Sequence, residues 1–350
     1  MNDNPTNNPL SLEALRAHVS EMLTQPKPNH SLFMAHSGNQ WLNLGQNQPT
    51  PVMLFAEFWF DGELCILFAD TNLGKSILAV QIADCISKGK SLNYFPVQAP
   101  AQPVLYFDFE LSTKQFENRY SEHYTNHYTF ADDFTRIAIN PDAIYPEGLT
   151  YDEYLYQCFE ETIIAHNARI LIVDNLTYLR TETEKAKDAL PLMKQLKALK
   201  NKYNLSILVL AHTPKRDLSK PITRNDLSGS KMLINFCDSA FVVGESSKDK
   251  NLRYLKQIKQ RNTEQLYGAD NVIVCQVVKP ANFLQFEVLT FSKEHEHLRE
   301  ATSKENDELN RQVYELHQQK QSIRQISAQL GVTYNKVQRI IKKFSGDDAD

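Results

Sequence analysis

One stretch constrains the chain more than any other. Leu64-Cys-Ile-Leu-Phe is an apolar run of strand length that ends in Ala69-Asp70-Thr71-Asn72-Leu73-Gly74-Lys75-Ser76, and Ile77 opens an apolar, helix-forming segment. Strand, loop and helix in that order are the context that the pattern GxxxxGK[ST] requires. Backbone N–H groups of such a loop, together with the helix N-terminus, face a phosphate group. Lys75 then places a point charge on β and γ oxygens, and Ser76 offers a hydroxyl to a magnesium ion. The expectation is an ATP·Mg²⁺ site spanning Ala69 to Ile77. Ala69 stands where the pattern has its first glycine, which leaves the backbone geometry at the loop entrance open.

The surrounding pattern sets the fold class. Short apolar runs alternate with amphipathic stretches at Leu64–Phe68, Val104–Phe109, Phe134–Ile139, Ile170–Asp174 and Ser206–Leu210. Several are apolar on both faces, as strands of a parallel sheet covered by helices must be. Four further runs, Ser239–Val243, Arg253–Ile258, Val272–Val278 and Phe283–Leu289, follow without long helices between them. The expected architecture is an α/β core over residues 52–291, with a mostly parallel sheet and antiparallel strands at its C-terminal end. Residues 1–51 read as an extension with one helix over Ser11–Leu23, 292–308 as a charged linker, 309–344 as a small all-helical unit and 345–350 as a frayed tail.

Two carboxylates complete the expected site. Asp174 ends the run Ile-Leu-Ile-Val at the strand edge where open α/β sheets bind ligands, and is read as a magnesium ligand acting through a water. Asn175 follows it, so a catalytic carboxylate has to come from elsewhere. Glu110, just past the second strand and expected beside the phosphate-loop strand, is the candidate for orienting and deprotonating the attacking water. Asp108 shares its strand parity and competes for that role.

Together, the loop, a Glu after the second strand and a lone Asp ending a later strand make residues 52–291 resemble the RecA-like P-loop ATPases. They are most similar to the RepA-like branch of small hexameric replicative helicases and related mobile-element AAA ATPases. The resemblance implies roles for further residues. Glu110 matches the catalytic glutamate, Arg119 an active-site arginine, and His212 a polar sensor at the end of its strand. Gly229-Ser230-Lys231 matches a small-residue turn before the next helix, with Asp238 starting the strand beyond it. Lys259 and Arg261 resemble a late Lys-x-Arg element inserted into a neighbouring subunit's site; an edge strand guarded by basic residues is the competing reading.

Net charge is −4, so a nucleic-acid contact has to be local. One basic segment is Pro214–Lys231, where Lys215, Arg216, Lys220 and Arg224 are candidate phosphate contacts for single-stranded DNA; a merely solvated loop fits as well. The other runs from Lys320 to Phe344, with six cations and no acid. There Ser322 and Gln325 form a capping box, Gly331 ends the helix, and Thr333 caps the next. This resembles a helix-turn-helix of the resolvase or sigma-factor type, which would offer Tyr334, Asn335, Lys336, Gln338 and Arg339 to duplex DNA. A protein-docking helical tail is the alternative.

Five scattered cysteines and a polar, acidic first octet fit a protein of the reducing cytoplasm without a signal peptide. The function expected is a DNA-dependent ATPase motor working as a homo-oligomeric ring in plasmid or mobile-element replication. The alternative is a non-motor, ATP-dependent loader or regulator that binds DNA through its helix-turn-helix.

Overall fold

A computed structural model describes residues 33–91, 94–175, 189–214, 216–227, 230–299 and 303–345. The expected helix over Ser11–Leu23 and the turn residue Gly229 lie outside these, as does Lys215. Residues up to Thr50 form a unit of their own. In it, helix α1 (Gly38–Gln46) starts at a Ser37/Gln40 capping box and keeps every residue exposed.

From Pro51 onward the chain builds a nine-stranded sheet. Its strands are β1 (Leu64–Ala69), β2 (Val104–Asp108), β3 (Phe134–Ile137), β4 (Ile170–Asp174), β5 (Ser206–His212), β6 (Ser239–Glu245), β7 (Leu252–Lys259), β8 (Val272–Val278) and β9 (Gln285–Ser292). They lie in the order β9-β8-β7-β6-β1-β5-β4-β2-β3. All pairings from β6 to β3 are parallel. Those from β6 to β9 are antiparallel.

Strand parity divides the core in two. Cys65, Leu67, Tyr106, Ile172 and Leu210 face one layer, where they meet Leu78, Ile82 and Ile86 of helix α2 (Lys75–Lys88). Leu64, Ile66, Phe68, Leu171 and Val209 face the other. There they pack against Phe159 and Ile163 of α4 (Tyr151–Ala165), and Met193 and Leu196 of α5 (Ala189–Tyr203). Ile234 of α6 (Ser230–Phe236) joins them. Both faces being covered explains why β1, β4 and β5 read as unbroken apolar runs. The short α3 (Thr113–Arg119) follows β2 and ends beside the ATP-loop side of the sheet.

Sequence reasoning placed Glu110 beside the phosphate-loop strand; the strand order corrects this, since β5 and β4 separate β2 from β1. Within the charged stretch after β9, Glu294 and His297 are buried. Lys256 Nζ sits 2.5 Å from Glu294 Oε2, which offsets the cost of burying both charges.

The C-terminal helices α7 (Ser303–Gln318), α8 (Ile323–Leu330) and α9 (Tyr334–Ser345) enclose their own core of Val313, Ile326, Val337 and Ile340. The Ser322/Gln325 capping box forms as expected. Gly331 closes α8 at φ +64°, a left-handed conformation costly for a residue with a Cβ.

Candidate active site

The C-terminal strand ends gather the expected residues along one edge. Ala69 lies opposite His212, and Asp108 opposite Asp174. Past Ala69 the loop takes left-handed turns at Asn72 (φ +63°) and Gly74 (φ +94°), and α2 begins at once. Asn tolerates that region, whereas Gly74 has a second constraint: a Cβ there would sit 3.0 Å from the Phe286 ring. Ala69 keeps an ordinary strand conformation, its carbonyl accepting from Thr213 N at 3.1 Å. The missing first glycine therefore imposes no strain at the loop entrance.

A cavity of about 200 Å³ opens over this loop. Thr71, Asn72, Gly74, Lys75, Ser76 and Ile77 form its floor, and Glu110, Arg119 and His212 its walls. Leu73 is buried beneath it. Asp70 turns its carboxylate onto Thr71 N at 2.7 Å and its carbonyl toward Lys75 Nζ at 3.3 Å. Lys75 also donates to the Ala69 carbonyl at 3.3 Å. Burial pushes the Lys75 ammonium down from its ordinary range, opposed by Asp174, Glu110 and Asp70.

The catalytic wall is a connected polar chain. Lys75 Nζ is 3.1 Å from His212 Nδ1, and an ammonium can only donate. Nδ1 therefore offers its lone pair to Lys75, and a neutral ring has no second lone pair for Asn175 Nδ2, which also only donates and faces His212 Nε2. That nitrogen is 3.6 Å from Glu110 Oε1 and 3.0 Å from the Asn175 amide, which also bonds Glu110. The His212 contact is the main cause holding the Glu110 carboxyl below the usual carboxylate range, with Lys75 and Arg119 adding to it against burial. Glu110 is thus ionised at neutral pH and able to accept a proton.

Asp108 does different work. One of its oxygens accepts from Glu110 N at 3.1 Å and Leu111 N at 2.9 Å, and the other from Arg136 Nε at 2.8 Å. Fully engaged, it bends the chain so that Glu110 returns over the ends of β4 and β5, which is how a residue two strands away reaches the cavity.

Asp174 is completely buried, and Tyr106 Oη donates to its Oδ2 at 2.6 Å. Among the described residues its buried Oδ1 has no hydrogen-bond partner within 3.5 Å, the Ser76 hydroxyl standing just beyond, which suits it to a magnesium-bound water. Burial pushes the Asp174 carboxyl up to about 6, with the Ser76 and Tyr106 hydroxyls pulling the other way. Arg119 Nη1 is likewise buried without a partner among the described residues, at the wall where phosphate charge would lie. Two contributors escaped sequence reasoning. Tyr106 carries a readable signal, since it shares parity with Asp108; in the sequence Asn175 shows only that no Glu follows Asp174.

Other expected residues lie elsewhere. Lys259 Nζ donates to the Ile234 and Cys237 carbonyls at 2.6 Å, capping α6. Arg261 pairs with Asp238 at 3.0 Å. Lys259 aligns with Ala240, so both are at the N-terminal edge of β6, away from this chain's own cavity. Asp238 accepts from Leu64 N at that same edge. Arg216 folds inward, its side chain 7% exposed and bonded to the Asp217 and Lys220 carbonyls, so it does not project from the loop surface. Lys220 and Arg224 are exposed, as are Tyr334, Asn335, Lys336 and Arg339, with Gln338 half-buried.

Fold and site together define a P-loop ATPase with a RecA-like fold. Residues 31–217 match the family model described as an AAA domain, and the chain belongs to that family. A DnaB-like replicative helicase, solved to show its interactions with primase, is similar in structure: TM-score 0.50 at 11% identity, covering 78% of this chain and 71% of that one. A KaiC-like protein of the hyperthermophilic archaeon Pyrococcus horikoshii aligns at TM-score 0.45 and 13% identity over 68% of this chain and 100% of that one. Among curated protein sequences there is no match.

Proposed function

We propose that this chain is a DNA-dependent ATP motor, working as a ring in the replication of a plasmid or other mobile element. The observation that carries the reading is His212. It ends β5, touches Lys75 and lies beside Glu110, and its strand runs directly into the basic segment from Pro214 to Leu227. A strand bearing DNA contacts at its far side can thereby shift the proton acceptor and the phosphate-binding cation together.

Glu110 takes the proton of the attacking water, Lys75 and the loop amides hold the phosphates, and Arg119 faces the charge that develops on the transferring group. Ser76 and Asp174 would hold a magnesium ion, whose charge would offset that of the phosphates. Lys220 and Arg224 are the exposed cations of the core loop for single-stranded DNA. The C-terminal helices are read as a helix-turn-helix, with α9 presenting Tyr334, Asn335, Lys336, Gln338 and Arg339 to duplex DNA.

The test is ATP hydrolysis with and without single-stranded DNA, beside Glu110→Gln and Lys75→Ala. Stimulation by DNA that both variants abolish supports the motor; Glu110→Gln should lose at least ~100-fold in turnover while still binding ATP. Turnover indifferent to DNA shifts the reading to a loader or regulator of replication or transposition. Strand displacement separates the two further.

A further inference from the structure

A second polar cavity, of about 250 Å³, lies at the same sheet edge but beyond the end of β6. Three separate segments wall it: the loop after β5 with Arg216, the turn after β6 with Ser246 and Lys250, and the tail with His297 and Arg299. They are laced together. Arg299 N donates to the Leu218 carbonyl at 3.1 Å, Ser247 N to the His297 carbonyl at 2.9 Å, and Ser247 Oγ to the Leu298 carbonyl at 2.7 Å.

What these walls present is a surplus of donors. His297 is 3% exposed, with Nδ1 2.8 Å from Ser246 Oγ and Nε2 buried without a partner among the described residues. Ser246 Oγ also accepts from Lys248 N and can still donate to Nδ1 or accept from it; with an oxyanion at Nε2, the ring proton lies on Nε2 and the Ser246 hydroxyl donates to Nδ1. Arg216 Nε is also buried without a hydrogen bond among the described residues, and its ion pair with Asp226 is loose at 3.8 Å. Lys250 and Arg299 line the same cavity from exposed positions. Among the described residues Glu245 is the one acid of the lining, and it lies opposite Arg253 in the β6–β7 ladder. Lys248 and Glu296 pair with each other at 2.9 Å and balance.

Unsatisfied buried donors beside uncompensated cations are what an oxyanion satisfies. We propose that this cavity binds a phosphoryl oxyanion, separate from the nucleotide site, supplied by a nucleic-acid backbone or as free phosphate. The inference does not depend on the motor reading.

The test uses the full chain with ¹⁵N-labelled histidine, the His297 ring signal being identified by His297→Gln. Inorganic phosphate is titrated at constant ionic strength, and oligothymidylate binding is followed by fluorescence anisotropy. A saturable His297 shift is expected in wild type and in Lys75→Ala, weakened at least ten-fold in Lys250→Ala/Arg299→Ala, whose exposed positions spare the fold. If that double variant also loses at least ten-fold in oligothymidylate affinity, the source is a nucleic-acid backbone; if oligothymidylate affinity is unchanged, it is free phosphate. The proposal is overturned if His297 does not respond, if the response survives in the double variant, or if Lys75→Ala removes it. Loss of oligothymidylate affinity without a His297 response overturns it too, because surface cations alone would account for that.

Discussion

Asp174 shows what a single residue can demand of its surroundings. Its folded pKa of about 6 lies above the ordinary aspartate value of about 3.9, so between those values the folded chain binds more protons than the unfolded one. Its contribution to stability is therefore fully present below about pH 4 and lost as pH rises through 6, a change of about 3 kcal/mol. Without nucleotide or magnesium, wild type should lose stability relative to Asp174→Asn between pH 4 and 7 in urea titrations. Parallel curves would sink the assignment. Magnesium and ATP should reverse the loss at pH 7, because a cation favours the ionised carboxylate. Lys75, Ser76 and Asp174 were legible in the sequence because spacing and strand edge alone specify them. Asn175 was not, because its contribution depends on where His212 and Glu110 arrive in space.

At the scale of elements, the nine strands were readable from alternation and apolar runs, with bounds that differ by a few residues. Their order was not. Parity gives the face of Asp108 and Asp174, but nothing in β2 records that β4 and β5 separate it from β1. The same limit hid the fastening of the core loop. Ile222 N donates to Glu294 Oε1 at 2.8 Å, and Lys256 Nζ donates to the Ile222 carbonyl at 2.7 Å. Glu294 reads as linker in sequence because its partners are 72 and 38 positions away. Removing one partner of a buried pair leaves the other uncompensated, so Glu294→Leu should cost roughly 3–5 kcal/mol, whereas Lys256→Met/Glu294→Leu should recover most of it. Chemical denaturation of the three variants reads this directly. Equal losses in the single and double variants would mean that the pair does not hold the loop.

For the whole molecule, the question is whether catalysis and targeting occupy separate parts. The core that positions Glu110, Asp174 and Lys75 is closed within the sheet and its two helical layers, and the C-terminal helices have a core of their own. Deleting 301–350 removes none of the cavity residues and none of the Lys256–Glu294 fastening, so ATP turnover without DNA should stay within about two-fold. Duplex affinity should fall, and the measured quantity is its salt dependence. If about four cations of the helical unit meet phosphates, log K for the full chain falls against log salt with a slope near −3.6. Lys336→Ala/Arg339→Ala should lower that slope by about 1.8, since each phosphate contact contributes about 0.9. Their exposure on α9, against the buried Val337 and Ile340 of the same helix, makes the double variant a test of charge rather than folding. An unchanged slope with intact helicity would transfer the basic face of α9 from DNA to a protein partner, and would leave the exposed Lys220 and Arg224 of the core loop as the cations to test next.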